Sequence, residues 1–177
     1  TPAANNTYVS RAAPTPVCDA AGLVAFFEGG NMVALGHDGS VRWQRDLVAD
    51  YGDVAARHGL ASSLEHAEGR VFVWVERSAD PYVLCLDRNT GETLWKTAGV
   101  GATSWASPRL IDVEGGQHLV LSAIGSVVGL DPATGKRLWT LEGISGNSTP
   151  TPIPMGDGRF LLGATTGRGG SGAKSVH

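Results

Sequence analysis

Short apolar runs alternate along the chain with polar, glycine-containing turns. Leu23 to Phe27, Val71 to Val75, His118 to Ala123 and Phe160 to Leu162 are each preceded by such a turn. The turns are Asp19 to Gly22, Ala67 to Gly69, Glu114 to Gln117 and Gly156 to Gly158. Runs of this length bounded by turn residues predict β-strands. In Arg70 to Glu76 both alternating sets are apolar, with Val71, Val73 and Val75 on one side and Phe72 and Trp74 on the other. A strand apolar on both sides belongs to a sheet covered on both faces. The connections are too short and too rich in glycine to supply covering helices, so the sheets must cover one another.

The runs belong to an internal repeat. Cys85-Leu86-Asp87-Arg88-Asn89-Thr90-Gly91-Glu92-Thr93-Leu94-Trp95 and Gly129-Leu130-Asp131-Pro132-Ala133-Thr134-Gly135-Lys136-Arg137-Leu138-Trp139 share one pattern. It reads small-Leu-Asp-x-x-Thr-Gly-x-x-Leu-Trp, and the two copies are 44 positions apart. A degenerate copy, shorter by one residue, runs from Ala34 to Trp43. An independent marker opens each unit: Thr15-Pro16, Ser63-Leu64, Ser107-Pro108 and Thr151-Pro152, the last two pairs again 44 apart. Two unrelated markers with one period predict four short strands per unit of about 40–45 residues, the spacing of a propeller blade.

Turn chemistry agrees with the strand assignment. In Asp131 to Gly135 the aspartate can cap the backbone two residues on, Pro132 presets φ, and Gly135 can adopt positive φ. Asp87 to Gly91 repeats this without the proline, and Asp38-Gly39 suits the tighter turn of the shorter copy. Asp53 to His66 is the exception. It could begin as an Asp-capped helix, but Gly59 and the repeat limit the expectation to one helical turn at Val54 to Arg57.

Composition narrows the picture further. Twenty-five glycines and 9 prolines in 177 residues suit a turn-dense, helix-poor architecture. The net charge of −3 lacks the cationic excess of a nucleic-acid binder. No apolar run approaches the ~20 residues of a membrane-spanning helix. The first residues carry neither the basic start nor the apolar stretch of a signal peptide, and the two cysteines do not make a disulfide framework.

The endings at Cys85 to Trp95 and Gly129 to Trp139 resemble the tryptophan-docking motif of quinoprotein-like (pyrroloquinoline-quinone-like) β-propeller repeats. Cys85 and Gly129 replace the motif's usual alanine, and Ala34 to Trp43 matches in part. The resemblance implies an all-β fold, a partial β-propeller of about three complete four-stranded blades plus the start of a fourth. The units are expected over residues 10–47, 58–97, 103–141 and 147–165, with 166–177 as a tail. Because family propellers close with six to eight blades, the chain is expected to be roughly half of one. Its terminal blade faces would then be exposed apolar surface open to self-association. The resemblance also implies a periplasmic or extracytoplasmic setting, and favours non-catalytic bacterial members over dehydrogenases.

Catalytic members of that family carry an adjacent Cys-Cys disulfide over the quinone, calcium-ligating Glu and Asn, and an Asp base. Cys18 and Cys85 are far apart in sequence, and Cys85 in place of alanine reads as a buried reduced thiol. The five histidines lack metal-ligand spacing, and Gly167 to Ser175 breaks the phosphate-loop pattern at Ala173. The chain is therefore expected to hold no catalytic, cofactor or metal site. Pyrroloquinoline quinone and calcium enter only if it is a piece of a dehydrogenase whose catalytic residues lie elsewhere. One ligand face can be named. His58, Trp105 and Asn147 precede the opening strands of consecutive units, and innermost opening strands would gather them at one mouth of the channel. The expected function is a binding scaffold for a protein or small-molecule ligand, with no nucleic acid and no membrane span.

Overall fold

The computed structural model describes residues 12–54, 59–77, 79–102, 104–165 and 171–176, and every strand in it pairs antiparallel. The first sheet holds β1 (Val17–Asp19), β2 (Gly22–Phe26), β3 (Asn31–Leu35) and β4 (Val41–Asp46) in sequence order. The second holds β5 (Glu65–Ala67), β6 (Arg70–Val75), β7 (Tyr82–Asp87) and β8 (Thr93–Ala98). The third holds β9 (Arg109–Val113), β10 (Gly116–Ala123), β11 (Gly125–Leu130) and β12 (Arg137–Ile144). A fourth is built from β13 (Ile153–Gly156), β14 (Arg159–Thr165) and β15 (Ser171–Val176). The molecule is a partial β-propeller, three four-stranded blades followed by an incomplete one.

One local expectation changes, and another falls outside the described residues. Residues 171–176, assigned from sequence to a tail, form β15 against β14 in a continuous register from Phe160↔Val176 to Thr165↔Ser171. The helical turn expected at Val54 to Arg57 falls largely on 55–58, outside the described residues. A short helix, α1 (Leu47–Tyr51), lies earlier. Asp46 caps it by accepting from the Val48 and Ala49 amides at 3.0 and 3.2 Å, and Gly52 at φ 86° ends it. The cap belongs to the last residue of a strand, so periodicity alone gave no reason to start a helix there.

The core lies between the blades. Val24, Phe26, Met32, Ala34 and Trp43 of the first blade pack on Val71, Val73, Val75, Tyr82, Leu84 and Leu86 of the second. The other face of the second blade, with Phe72, Trp74, Val83 and Cys85, packs on Leu119, Leu121, Val128 and Leu130 of the third. Ile111, Val120 and Val127 then meet Phe160, Leu162 and Ala164 of the fourth. The doubly apolar strand β6 is thus explained, because its two faces belong to two different interfaces and Val71 to Val75 are all buried.

Candidate functional site: blade joints and the grooves between them

The repeat markers turn out to be the joints. Each closing tryptophan pairs across its own sheet with the small residue of its motif: Trp43 with Ala34, Trp95 with Cys85, Trp139 with Gly129. A β-carbon added at Gly129 would collide with the Trp139 ring, which is why the smallest residue stands there. The indole then reaches the next blade. Trp43 Nε1 donates to the Arg88 carbonyl at 3.0 Å and Trp95 Nε1 to the Pro132 carbonyl at 3.1 Å. The acceptor in each case is the residue after the motif aspartate. The motif glycine lies beneath the incoming ring. A β-carbon on Gly91 would come to 2.7 Å from Trp43, and one on Gly135 to 2.6 Å from Trp95. These glycines sit at φ 75° and 73°, so conformation and space both select glycine. Trp139 bonds within its own blade, its Nε1 donating to His118 Nδ1 at 3.1 Å, with its ring stacked on Phe160.

The opening Ser/Thr residues form a second, inner set of joints. The Thr15 amide donates to Ser63 Oγ, the Ser63 amide to Ser107 Oγ, and the Ser107 amide to Thr151 Oγ1, each at 3.0 Å. One hydroxyl per unit therefore satisfies a backbone donor of the preceding unit, which fixes the spacing of the innermost strands. Glu65 Oε2 adds a further link, accepting from the Leu110 amide and lying 3.4 Å from Arg109 Nη1.

Among the described residues, a third joint is found at the first pair of blades alone. Arg88 is 3% exposed, and its Nε and Nη2 form a fork on Asp19 at 2.8 and 2.7 Å while Nη2 also reaches the Gly22 carbonyl. The guanidinium holds the Asp19 carboxyl below its ordinary value. Sequence reading missed this joint. Arg88 occupies a variable position of the motif, Pro132 in the next copy, so the period gave no sign of it.

Two residues of the expected ligand face, Trp105 and Asn147, lie among the described residues. His58 lies outside the described residues. Trp105 and the segment at Asn147 do meet, because the Ser148 carbonyl accepts from the Trp105 amide at 2.6 Å and the Ala106 amide at 3.1 Å. Trp105 is half-buried. Asn147 is fully buried and engaged on the third blade. Its Nδ2 donates to Ser122 Oγ and the Ser126 carbonyl, and its Oδ1 accepts from the Gly125 amide. Asn147 thus holds the β10–β11 hairpin against the loop entering the fourth blade, and of these two residues Trp105 presents partly open surface.

Grooves open on the described surface. One of about 420 Å³ follows the inner strands and is lined by opening-strand residues including Cys18, Glu65, His66 and Arg109. One of about 350 Å³ lies between the third and fourth blades beside Trp139, His118 and Phe160, and is mostly apolar. Another, about 710 Å³, runs along the end of β8, where Arg77, Lys96 and Tyr51 meet.

A propeller whose blades are joined by indole-to-turn contacts defines the class, and comparison with known proteins gives the family. The profile described as outer membrane protein assembly factor BamB matches residues 38–169, and the chain belongs to that family of pyrroloquinoline-quinone-like repeats. A search of curated protein sequences gave no match. Among solved structures, BamB from Moraxella catarrhalis is similar at 21% identity and TM-score 0.60, over 88% of this chain and 42% of that one. The quinohemoprotein alcohol dehydrogenase ADHIIG from Pseudomonas putida HK5 is similar at 17% identity and TM-score 0.62, over 85% of this chain and 28% of that one. A europium-containing methanol dehydrogenase gives 21% and 0.58, over 75% and 25%. The chain therefore spans less than half the length of each of these structures.

The dehydrogenase likeness invites a test of fit for quinone and calcium. Cys18 and Cys85 sit in different sheets, on β1 and β7, and both are free. Cys85 is sealed under Trp95, and burial pushes its thiol up to about 11. Among the described residues, no three His, Cys, Asp or Glu side chains are grouped as metal ligands. These residues do not fit the quinone and calcium site of the catalytic members.

Proposed function

We propose that this chain is part of a non-catalytic propeller scaffold that engages a protein or small ligand through its loop face and grooves, in an extracytoplasmic setting like that named for its family. The observation that carries this reading is where the reactive groups lie. Asp19 is held by Arg88, Glu65 joins the second and third blades, His118 holds Trp139, and Cys85 is sealed. These four groups are thus engaged in packing or in holding strands and blades in place, and the open grooves set cations, hydroxyls and aromatic rings beside Cys18, Glu65 and His66. Such surfaces suit recognition. Half-buried Trp105 supplies an aromatic platform at the loop face.

The test uses the full-length protein. Titration with pyrroloquinoline quinone and calcium, followed by absorbance, is expected to give no saturable signal and no dye-linked alcohol oxidation. A ligand recovered with the protein should bind more weakly to Trp105→Ala while the denaturation midpoint changes little. Stoichiometric quinone binding with alcohol oxidation would overturn the scaffold reading in favour of a dehydrogenase whose catalytic residues lie beyond these 177.

A further inference from the structure

The groove at the end of β8 differs from the other two in its charge. Lys96 is exposed on the outermost strand of the second blade, with its Nζ 5.4 Å from the ring centre of Tyr51 and 5.2 Å from that of Tyr82. Arg77 approaches Tyr82 from the neighbouring loop, its Cζ 5.0 Å from the ring centre. Neither cation forms an ion pair among the described residues, whereas Arg45, Arg70, Arg88, Arg109 and Arg159 all do. Arg77 instead donates to two backbone carbonyls, of Asp53 and Asp80, which fix its position without neutralising it. Ring faces attract both cations and replace part of their water, leaving the positive charge directed at the open side of the groove. In a chain of net charge −3, two cations without a carboxylate partner are here held over paired tyrosines.

The shape of the groove adds a second constraint. Lys96, Thr97, Ala98 and Gly99 line it consecutively, so it follows the edge of a sheet whose order is β5-β6-β7-β8. An edge strand offers unpaired backbone donors and acceptors to an extended segment laid beside it. Asp80 also lines the groove and is held at φ 47°, so a like charge bounds one part of it.

Resting on the scaffold reading above, we propose that this groove binds an extended acidic peptide segment of a partner protein. The segment runs along β8 with a carboxylate directed at Lys96 and Arg77. The chemistry required is a side-chain carboxylate on an extended backbone. The backbone pairs with the β8 edge and the carboxylate completes the two cations.

A fluorescently labelled peptide of alternating Thr and Glu, titrated with the protein and read by anisotropy, tests this. Alternating Thr-Gln and Thr-Lys peptides serve as counterparts. The Thr-Glu peptide should bind and the counterparts should not. Lys96→Met should weaken binding about tenfold, as expected for loss of one partly desolvated charge contact. Asp80→Asn should strengthen it, since Asn tolerates the same positive φ and removes the like charge. Arg159→Met, on an exposed cation of the fourth blade, should change nothing. The opposite signs expected for Lys96 and Asp80 cannot both arise from a folding defect. Unchanged binding in Lys96→Met, or equal binding of the Thr-Gln peptide, would overturn the proposal. So would displacement of the Thr-Glu peptide by inorganic phosphate at equal charge concentration, which would mark a small-anion site. Trp105-dependent binding of a counterpart peptide alone would sink this groove and leave the scaffold reading standing, whereas quinone binding would sink that reading itself.

Discussion

Gly91 and Gly39 occupy corresponding turns, at φ 75° and 83°, yet only Gly91 lies beneath a tryptophan of the preceding blade. The comparison isolates what docking itself contributes. Gly39→Ala places a side chain at positive φ with nothing within 4 Å, so its cost is conformational, about 1 kcal/mol. Gly91→Ala carries the same conformational cost and also drives a β-carbon to 2.7 Å from the Trp43 ring. Overpacking of that kind adds about 1–3 kcal/mol, for a total of about 2–4 kcal/mol. Trp43→Ala removes a ring that is 8% exposed and leaves the Arg88 carbonyl without its indole donor, costing about 3–5 kcal/mol. Once the ring is gone, Gly91→Ala should fall back to about 1 kcal/mol. The double-mutant cycle should therefore show a coupling of about 1–3 kcal/mol between Gly91 and Trp43. Urea denaturation of the four proteins and of Gly39→Ala, followed by far-ultraviolet circular dichroism, measures all five terms. Equal costs for Gly39→Ala and Gly91→Ala, or a coupling below about 0.5 kcal/mol, would refute the docking account.

Further expectations follow from the other joints. Asn147→Ala strands the Gly125 amide, the Ser126 carbonyl and one Ser122 bond in a buried site, so it should cost about 2–4 kcal/mol in the same assay; a loss under about 0.5 kcal/mol would remove its structural role. Cys18 is exposed and Cys85 is buried with its thiol raised to about 11, so at pH 8 a thiol reagent should label one site quickly and the second only on unfolding. Two fast thiols would contradict the sealed position under Trp95. Asp87 is lowered mainly by the Thr90 amide and Asp131 mainly by the Ala133 amide. A carboxyl depressed in the fold contributes stability that is complete above its unfolded value and lost as pH falls through the folded one. Asp87→Asn with Asp131→Asn should therefore lower the neutral midpoint and flatten the loss of stability below about pH 4, so that variant and parent converge in acid. An acid limb as steep as that of the parent would refute it.

The sequence alone determined the repeat, its period and the strand content. These depend on local chemistry: apolar alternation, turn residues that need positive φ, and a tryptophan at a fixed distance from a small residue. They recur from unit to unit because each unit must cover the next, and repetition makes a local signal legible. Gly129 is an example, where a departure from the motif's alanine reports the ring that lies over it. Only the tertiary structure decided the rest. The Arg88–Asp19 fork joins residues 69 positions apart, and the burial of Asn147 depends on a hairpin from the preceding blade. Lys96 and Arg77 form the proposed site only because Tyr51 of α1 and Tyr82 of β7 come together with ring centres 5.3 Å apart. Each of these contacts occurs once, between units, so no period announces it. The physical reason is that stacking blades brings together side chains whose separation along the chain carries no information about their separation in space.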